Sequence, residues 1–399
     1  MDVIRQIQAF NAGRDPERLQ IKYQKMRDSP FGFLRATCHL FYDGLPATGL
    51  IKSAPLTWIC GDLHLENFGS FKGNNRLTYF DLNDFDEAAL APASWELIRM
   101  LTSLLVGADS LAISPANAHT LCSVFLDSYA ASLASGKAYW IESETAQGLV
   151  RKLLDGLRGR QRSQFLNTRT SLKGKRRVLK VDGKKTLAAT DAQRAAVTKF
   201  MARFAMGQPQ SEFFKVLDVA RRIAGTGSLG VNRYAILVNG KGAPDGHYLL
   251  DLKQSLSSSV ASHFEALQPK WRSQAHRTVE VQQRMQAVSV ALLQPVRFDG
   301  SAYVLRELQP IEDRVTIDGT RQTLAELTHV VVTMGQLVAW AQLRSAGRDG
   351  SAMADELIDF GLRTKWKGKL LTAAKVCAGQ VRKDASTFNT AFDDGVFST

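Results

Sequence analysis

Cysteine is scarce in this chain. Only Cys38, Cys60, Cys122 and Cys377 occur in 399 residues, and no two form a C-x-x-C pair. That spacing excludes a zinc ribbon and a redox dithiol motif, and it offers no disulfide framework. The thiols read as ordinary reduced side chains, as expected in the cytoplasm. Long apolar runs are missing too: no stretch of about 18 apolar residues occurs, so no membrane span is expected. The first twenty residues have no apolar core of the kind a signal peptide needs. No internal repeat and no low-complexity tract occurs. What remains is a chain with 45% hydrophobic residues, enough for two or three domains or one two-lobed enzyme with a sizeable core.

Acid is in short supply overall. The formal net charge is +13, and the excess is not spread evenly. Residues 151–185 hold thirteen Lys and Arg against Asp155 and Asp182, a net of +11. Such a run forms either a solvated connector or a docking patch for an anionic partner. It lacks interleaved aromatics and a base-reading motif, so specific nucleic-acid recognition is not expected.

Against that background, residues 60–87 stand out. They read CGDLHLENFGSFKGNNRLTYFDLNDFDE and carry Asp62, Glu66, Asp81, Asp84, Asp86 and Glu87. Crowded carboxylates repel unless a cation holds them, and hydrated magnesium with substrate phosphates is the usual solution. Asp62 and Asn67 are five residues apart. Kinase-type phosphotransferases place a catalytic Asp and a metal-binding Asn at that separation, followed by a metal-binding Asp on the next strand. Asp62 would orient the attacking hydroxyl and take its proton. Asn67 and Asp84 would hold the metal, with Asp84 preferred over Asp81 and Asp86 because Asp84-Phe85-Asp86 resembles the kinase Asp-Phe-Gly. His64 reads as a brace for the loop and Glu66 as solvated.

Residues Gly225-Thr226-Gly227-Ser228-Leu229-Gly230 form a G-x-G-x-x-G. In a dinucleotide fold this motif opens a helix. Here an apolar, aromatic run over 232–238 follows, then turn signals at 239–240 and 244–246, then a run over 247–253. That is a hairpin under a glycine loop, the kinase arrangement, in which backbone N–H groups approach phosphates without a Cβ in the way. Gly225, Gly227, Ser228 and Gly230 would cradle the nucleotide. Lys253, at the end of the second strand, would neutralise its phosphates and pair with a helix Glu. Glu280 is the candidate for that partner and Glu265 the rival.

The remaining pattern predicts helices around 21–26 and 33–42, strands over 56–60 and 77–82, and a helix capped by Ser94 with Leu97, Met100, Leu101 and Leu104 on its apolar face. Helical spacing continues to about 157, with a turn in KVDGKK. A helix is expected over 277–290, a strand over 303–308, and mostly helix beyond 324.

At CGDLHLEN the chain resembles the aminoglycoside phosphotransferase and choline kinase group, whose motif is H-G-D-L-H-x-x-N. Cys60 stands where that group has histidine. Glu96, twelve residues after Asp84, matches the group's helix acid. Over most of its length the chain also looks like the bacterial family called domain of unknown function 2252, through KYQKMRDSPFGFLR, GDLHLENFG, NDFDEA, GTGSLG, LLDLKQS and RTVEVQQRMQ. The resemblance implies an α+β, two-lobed protein-kinase-like fold with a mostly helical larger lobe. The glycine loop follows the catalytic Asp, the reverse of the kinase order, so the fold is expected to be circularly permuted. Residues 1–150 would begin the larger lobe, 151–210 form a basic helical connector, 211–310 the small nucleotide lobe, and 311–399 the rest of the larger lobe. The expected activity is ATP- and magnesium-dependent phosphoryl transfer to a hydroxyl of a small molecule, or of a protein. The alternatives are a silent nucleotide-binding module, AMP transfer on the same fold, and a basic nucleic-acid binder.

Overall fold

The computed structural model describes residues 2–46, 53–174, 176–243, 245–310 and 313–397. Lys175 of the basic run and Pro244 of the expected 244–246 turn lie outside them. The fold is mixed α+β.

Local signals set the helix starts. Asp15 and Ser29 accept hydrogen bonds from the first turns of α2 (Pro16–Asp28) and α3 (Pro30–Ala36), each with proline at the first helical position. These follow α1 (Val3–Asn11) and precede α4 (Cys38–Asp43). Next come β1 (Leu56–Ile59), the hairpin β2 (Phe68–Lys72) and β3 (Thr78–Leu82), and β4 (Ala89–Pro92), which pairs antiparallel with β1. Helix α5 (Ala93–Gly107) begins directly after β4, with Pro92 at its cap position. Ser94 therefore lies inside the first turn rather than capping it. Helix α6 (Pro115–Ala134) follows, capped by Ser114.

The connector is not wholly helical. It runs through α7 (Gly148–Arg158), α8 (Arg162–Arg169), a hairpin of β5 (Thr170–Lys173) and β6 (Arg176–Leu179), β7 (Thr186–Ala188) and α9 (Asp191–Met206). Thr168, Thr170 and Val178 interrupt the helix-forming composition, and β-branched residues at the hairpin favour extended backbone. Then come β8 (Val216–Arg222), β9 (Arg233–Val238), β10 (Tyr248–Gln254), α10 (Gln274–Met285), β11 (Gln294–Phe298) and β12 (Ser301–Glu307). Helix α10 stops at Met285, five residues short of the expected end, because Gln286 is extended. The chain closes with α11 (Leu324–Arg344), α12 (Ala354–Leu362) and α13 (Lys365–Asp393).

Six strands form one antiparallel sheet in the order β11-β12-β10-β9-β8-β7. Strand alternation gives it two faces. Ile236, Val238, Leu250 and Leu252 pack with Val197, Phe200 and Met201 of α9 on one side. On the other, Ala220, Ala235, Leu237, Leu249 and Leu308 are covered by Leu166 of α8 and Leu179 of β6. A separate, larger core joins α2–α6 to α11–α13 around Phe33, Trp58, Leu97, Phe125, Leu337 and Phe388. Helix α11 is long and apolar enough to cross a membrane by length and composition, but its apolar positions, among them Leu327, Val331, Met334 and Leu337, are buried in this core.

The second sheet face carries a charge cluster. Asp251 is fully buried and meets Arg233 (Nε 2.8 Å), Arg222 (Nη1 2.7 Å) and Arg306 (Nε 3.6 Å). Burial pushes its carboxyl up, but Arg222 and Arg233 pull it well below the usual 3.8. A buried cation stripped of its partner is expensive. Asp251→Asn should therefore cost about 3–5 kcal/mol at neutral pH in denaturant unfolding. Because the folded carboxyl is depressed, its contribution is present above 3.8 and is lost as the pH falls through its lower folded value. The gap between wild type and variant should accordingly be widest at neutral pH and narrow in acid.

Candidate active site

Strand β1 delivers the chain into the 60–67 loop, and several buried contacts fix that loop. Gly61 has φ of +85°, and a Cβ there would lie 2.1 Å from the Glu87 carbonyl oxygen. Only glycine fits such a position. Tyr42 Oη donates to the Gly61 carbonyl. Glu96, fully buried in α5, accepts from Cys60 N at 2.7 Å and from Gln342 Nε2 of α11 at 3.1 Å. Cys60 faces Glu96 and Asp62 in a dry setting, and burial pushes its thiol well up. His64 Nδ1 accepts from Glu66 N at 3.1 Å. Burial, reinforced by Arg35 and Arg99, holds the His64 imidazole well below its usual value, so it is a neutral brace.

Asp62 sits on this loop with its Oδ1 gripped by Arg99 of α5, at 3.1 Å from Nε and 2.6 Å from Nη2. Arg99 is fully buried, also donates to Leu34 O at 2.7 Å, and lies 4.6 Å from the Phe41 ring centre. Burial raises the Asp62 carboxyl above the usual value despite Arg99. Asn67 Nδ2 donates to Asp62 O (3.1 Å) and Asp84 O (3.4 Å), tying the two acidic turns together.

Asp84 has the opposite electrostatics. Burial pushes its carboxyl up, but Lys253, then Arg306 and Arg233, pull it below the usual value. Lys253 Nζ lies 3.8 Å from Asp84 Oδ1 and contacts Asp86 Oδ2. Asp81 points elsewhere. It is buried, accepts from Leu82 N and pairs with Arg344 at 3.4 Å.

The glycine loop reaches this centre from the sheet. A Cβ on Gly227 would stand 2.9 Å from Arg35 O and 3.9 Å from Asp62 Oδ2. Three cations from the N-terminal region hold the loop by its carbonyls. Arg14 donates to Gly227 O (2.8 Å), Lys22 to Gly227 O (3.1 Å), and Arg18 to Val231 O (3.0 Å). Arg277 of α10 fixes the facing wall, donating to Ala88 O, Asp86 O and Leu256 O at 2.6, 2.7 and 2.9 Å.

Together these pieces enclose a cavity of about 350 Å³. Asp62, Asn67, Asp84, Gly225, Gly227 and Ser228 all line it, beside Phe10, Arg14, Arg35, Cys38, Glu87 and Leu256. Lys253 lies one contact behind the wall, through Asp84 and Asp86. Gly230 is outside it, against Arg14 and Leu19. Glu280 does not partner Lys253. It pairs with Arg284, one turn along α10, at 3.4 Å and is partly exposed. The rival Glu265 is exposed in a 3₁₀ turn. Helix α10 presents Arg277 rather than a carboxylate toward the acidic turn, so the lysine takes its countercharge from Asp84 and Asp86. Glu66, expected to be solvated, is half exposed but pairs with Arg35 (2.9 Å) and Arg314 (3.2 Å).

Among the described residues no cluster of three His, Cys, Asp or Glu side chains could hold a metal by itself. Asp84 with the Asn67 amide is instead a sparse set of hard oxygen donors, which suits magnesium completed by substrate phosphates and water. The basic run is not one open patch. Arg160 pairs with Asp313 (2.6 Å) and Arg177 with Asp245 (2.8 Å), while Lys173, Arg176, Lys180 and Lys184 are exposed.

Sequence reasoning missed Arg14, Lys22, Arg99 and Arg277. Arg99 had a usable signal. It is the only basic residue in a mostly apolar helix, three positions after Glu96, on the same face.

The family described as "Uncharacterized protein conserved in bacteria (DUF2252)" matches residues 14–391, and the chain belongs to it. No curated protein and no solved structure matches the chain.

The Arg99–Asp62 pair gives a direct test. Arg99→Met leaves a buried carboxylate without its cation and should cost about 3 kcal/mol or more in denaturant unfolding. Adding Asp62→Asn to that variant should recover much of the loss, since no charge is then stranded.

Proposed function

We propose that this DUF2252 protein is an ATP- and magnesium-dependent phosphotransferase acting on a hydroxyl of a small molecule, in the cytoplasm. The proposal includes a two-lobed, kinase-like and circularly permuted fold. The supporting observation is convergence: residues 62–67, 84–86 and 225–228, far apart in the chain, wall one cavity, with Lys253 behind Asp84.

The two acids have environments that suit different tasks. Asp62, raised by burial, is the better base. Arg99 holds its Oδ1, and Oδ2 is the oxygen toward the glycine loop. In the reaction the acceptor hydroxyl attacks the γ-phosphorus, its proton passes to Asp62, and the bond to the β-bridging oxygen breaks, releasing ADP with that electron pair. Asp84, kept ionised by Lys253 and two arginines, would hold magnesium with the Asn67 oxygen. Bound there, magnesium neutralises phosphate charge. The glycine loop lets backbone N–H groups approach the phosphates, and the cations behind it keep its shape.

A second reading draws on the cavity's direction. None of the described residues of 217–224 or 233–251 lines the cavity, because that sheet face is closed by Leu166, Leu179 and the Asp251 cluster. The cavity extends instead toward Phe10, Cys38 and Leu256. A nucleoside on that side, with its phosphates at the glycine loop, would bring a different phosphorus to Asp62. This favours AMP transfer as the alternative. The exposed lysines of 173–184 remain the docking patch proposed for an anionic partner.

The deciding experiment incubates the full chain with ATP and magnesium and separates the products. Phosphoryl transfer or slow hydrolysis gives ADP, and AMP transfer gives pyrophosphate. Asp62→Ala and Asp84→Ala should each lower the rate by about 10²-fold or more. Asp84→Ala should unfold near the wild-type temperature because Lys253 keeps Asp86, whereas Asp62→Ala strands the buried Arg99 and should unfold at a lower temperature. The rate should fall with acid through a value above the ordinary 3.8 of an aspartate, since Asp62 must be ionised to accept the proton. Thermal stabilisation by ATP without turnover would instead indicate the silent module. Neither stabilisation nor turnover would overturn the proposal.

A further inference from the structure

Most cations around the cavity have a protein carboxylate. Arg99 has Asp62, Lys253 has Asp84 and Asp86, and Arg35 and Arg314 share Glu66. Arg14 and Lys22 are different. No salt bridge joins either to a carboxylate among the described residues. Lys22 is fully buried, and its ammonium donates only to neutral oxygens, Asn11 Oδ1 at 2.8 Å and Gly227 O at 3.1 Å. Arg14 lines the cavity. Its Nη1 donates to Gly227 O and Leu229 O at 2.8 and 3.3 Å, and its Nε and Nη2 have no protein partner among the described residues. Both cations lie within cation–π distance of the Phe10 ring, at 4.6 and 5.3 Å from its centre.

Burial without a directly paired counterion is unfavourable, fully for Lys22 and in part for the half-buried Arg14. The carboxylates Glu87 and Asp86 near Arg14, and Glu87 and Asp62 near Lys22, offset it only partly. Burial lowers the Arg14 guanidinium to about 10 and the Lys22 ammonium well below its usual value. Pinning one loop carbonyl does not require two cations, since a neutral donor can hold a carbonyl without that penalty. A guanidinium with two free donor atoms on a cavity wall is suited to a phosphate or carboxylate, which it can grip through paired N–H bonds.

We propose that Arg14, backed by Lys22, is an anion subsite filled by a phosphate or carboxylate group of the substrate. It lies across Gly227 from Asp62, so the ligand that fills it is anchored beside the reacting centre. The inference deepens the phosphotransfer reading by naming the charge of the group held there: either a donor phosphate or an acidic group of the hydroxyl-bearing acceptor.

The test uses inorganic phosphate as the probe on the full chain, by calorimetric titration and thermal shift without nucleotide. Phosphate should bind and raise the unfolding temperature. Arg14→Gln should weaken its binding by about tenfold or more, the effect of losing one charged hydrogen-bonding group, and Arg14→Lys should keep part of it. Lys22→Met should weaken binding in the same direction; if that variant fails to fold, the two Arg14 variants carry the test alone. The titration is then repeated with a non-hydrolysable ATP analogue and magnesium. Competition assigns the subsite to the donor, and undiminished phosphate binding assigns it to the acceptor. The proposal is overturned if wild type shows no phosphate binding, or if Arg14→Gln binds phosphate as tightly as wild type. Arg14-dependent phosphate binding in a protein that turns over no ATP would retain the subsite and remove only the phosphotransfer reading.

Discussion

The site depends on the close approach of Gly227 to the 60–67 loop. Any side chain at 227 would meet the Arg35 carbonyl oxygen at 2.9 Å, so the glycine loop and the Asp62 loop touch only because that residue has none. The contact is held from behind. Arg14, Arg18 and Lys22 draw the loop's carbonyls toward α2, and Asp15 N donates to Gly230 O at 2.9 Å. The N-terminal helices are therefore part of the cavity's frame. Because Leu19, Tyr23 and Met26 of α2 also belong to the large helical core, the same helix ties the glycine loop to that core.

Electrostatics then separates two carboxylates of the same type. Asp62 has Arg99 in contact and Arg35 farther off, yet burial prevails. Asp84 has a lysine contact and two further arginines on the sheet, and the cations prevail. The sheet supplies that difference. Lys253 and Arg233 are direct cross-strand partners, as are Asp251 and Arg306, so the four share the face that meets the acidic turn. Asp251 anchors the arginines, and their remaining charge reaches Asp84. The fully buried Asp251 cluster, distant in sequence from residue 84, thus adds to the pull of Lys253 on a proposed metal ligand.

The motifs were the most legible part of the molecule. The spacing from Asp62 to Asn67, Asp84 at its strand end, and a glycine loop followed by a hairpin all recur as neighbours around one cavity, because short-range pattern determines backbone shape at loops rich in Gly, Asn and Asp. The sheet hairpin of β9 and β10 and the long apolar α11 were legible for the same reason. Pairings that depend on tertiary position were not. Glu280 has sound helical spacing, but α10 turns Arg277 toward the acidic turn instead, and a helix's rotation about its axis is set by what it packs against. The β5–β6 hairpin was hidden by its charge, since Leu172, Val178 and Leu179 lie among six lysines and arginines from Arg169 to Lys180. Arg14 and Lys22 carry no local signal, because the glycine loop that lies across them is more than two hundred residues later in the chain.

The proposed permutation is compatible with how α2 packs against α13. Gln20 Nε2 donates to Phe397 O at 2.8 Å, Arg27 pairs with Asp393 at 2.9 Å, and Tyr23 lies 4.8 Å from the Phe397 ring centre. Helices α2 and α13 thus sit side by side on the helical core. In the proposed permutation the connector would come first, then the sheet, then α11–α13, and α1 and α2 after them, with these α2–α13 contacts kept. Rearranging the order of segments costs little when the joined ends are already neighbours. In that rotated order the glycine loop and Lys253 precede Asp62 and Asp84, the order phosphotransferases of the kinase type use. The geometry that brings β8–β12 to the 60–87 loop does not depend on the order of the segments along the chain, so Asp62 ahead of the glycine loop is no obstacle to the proposed chemistry.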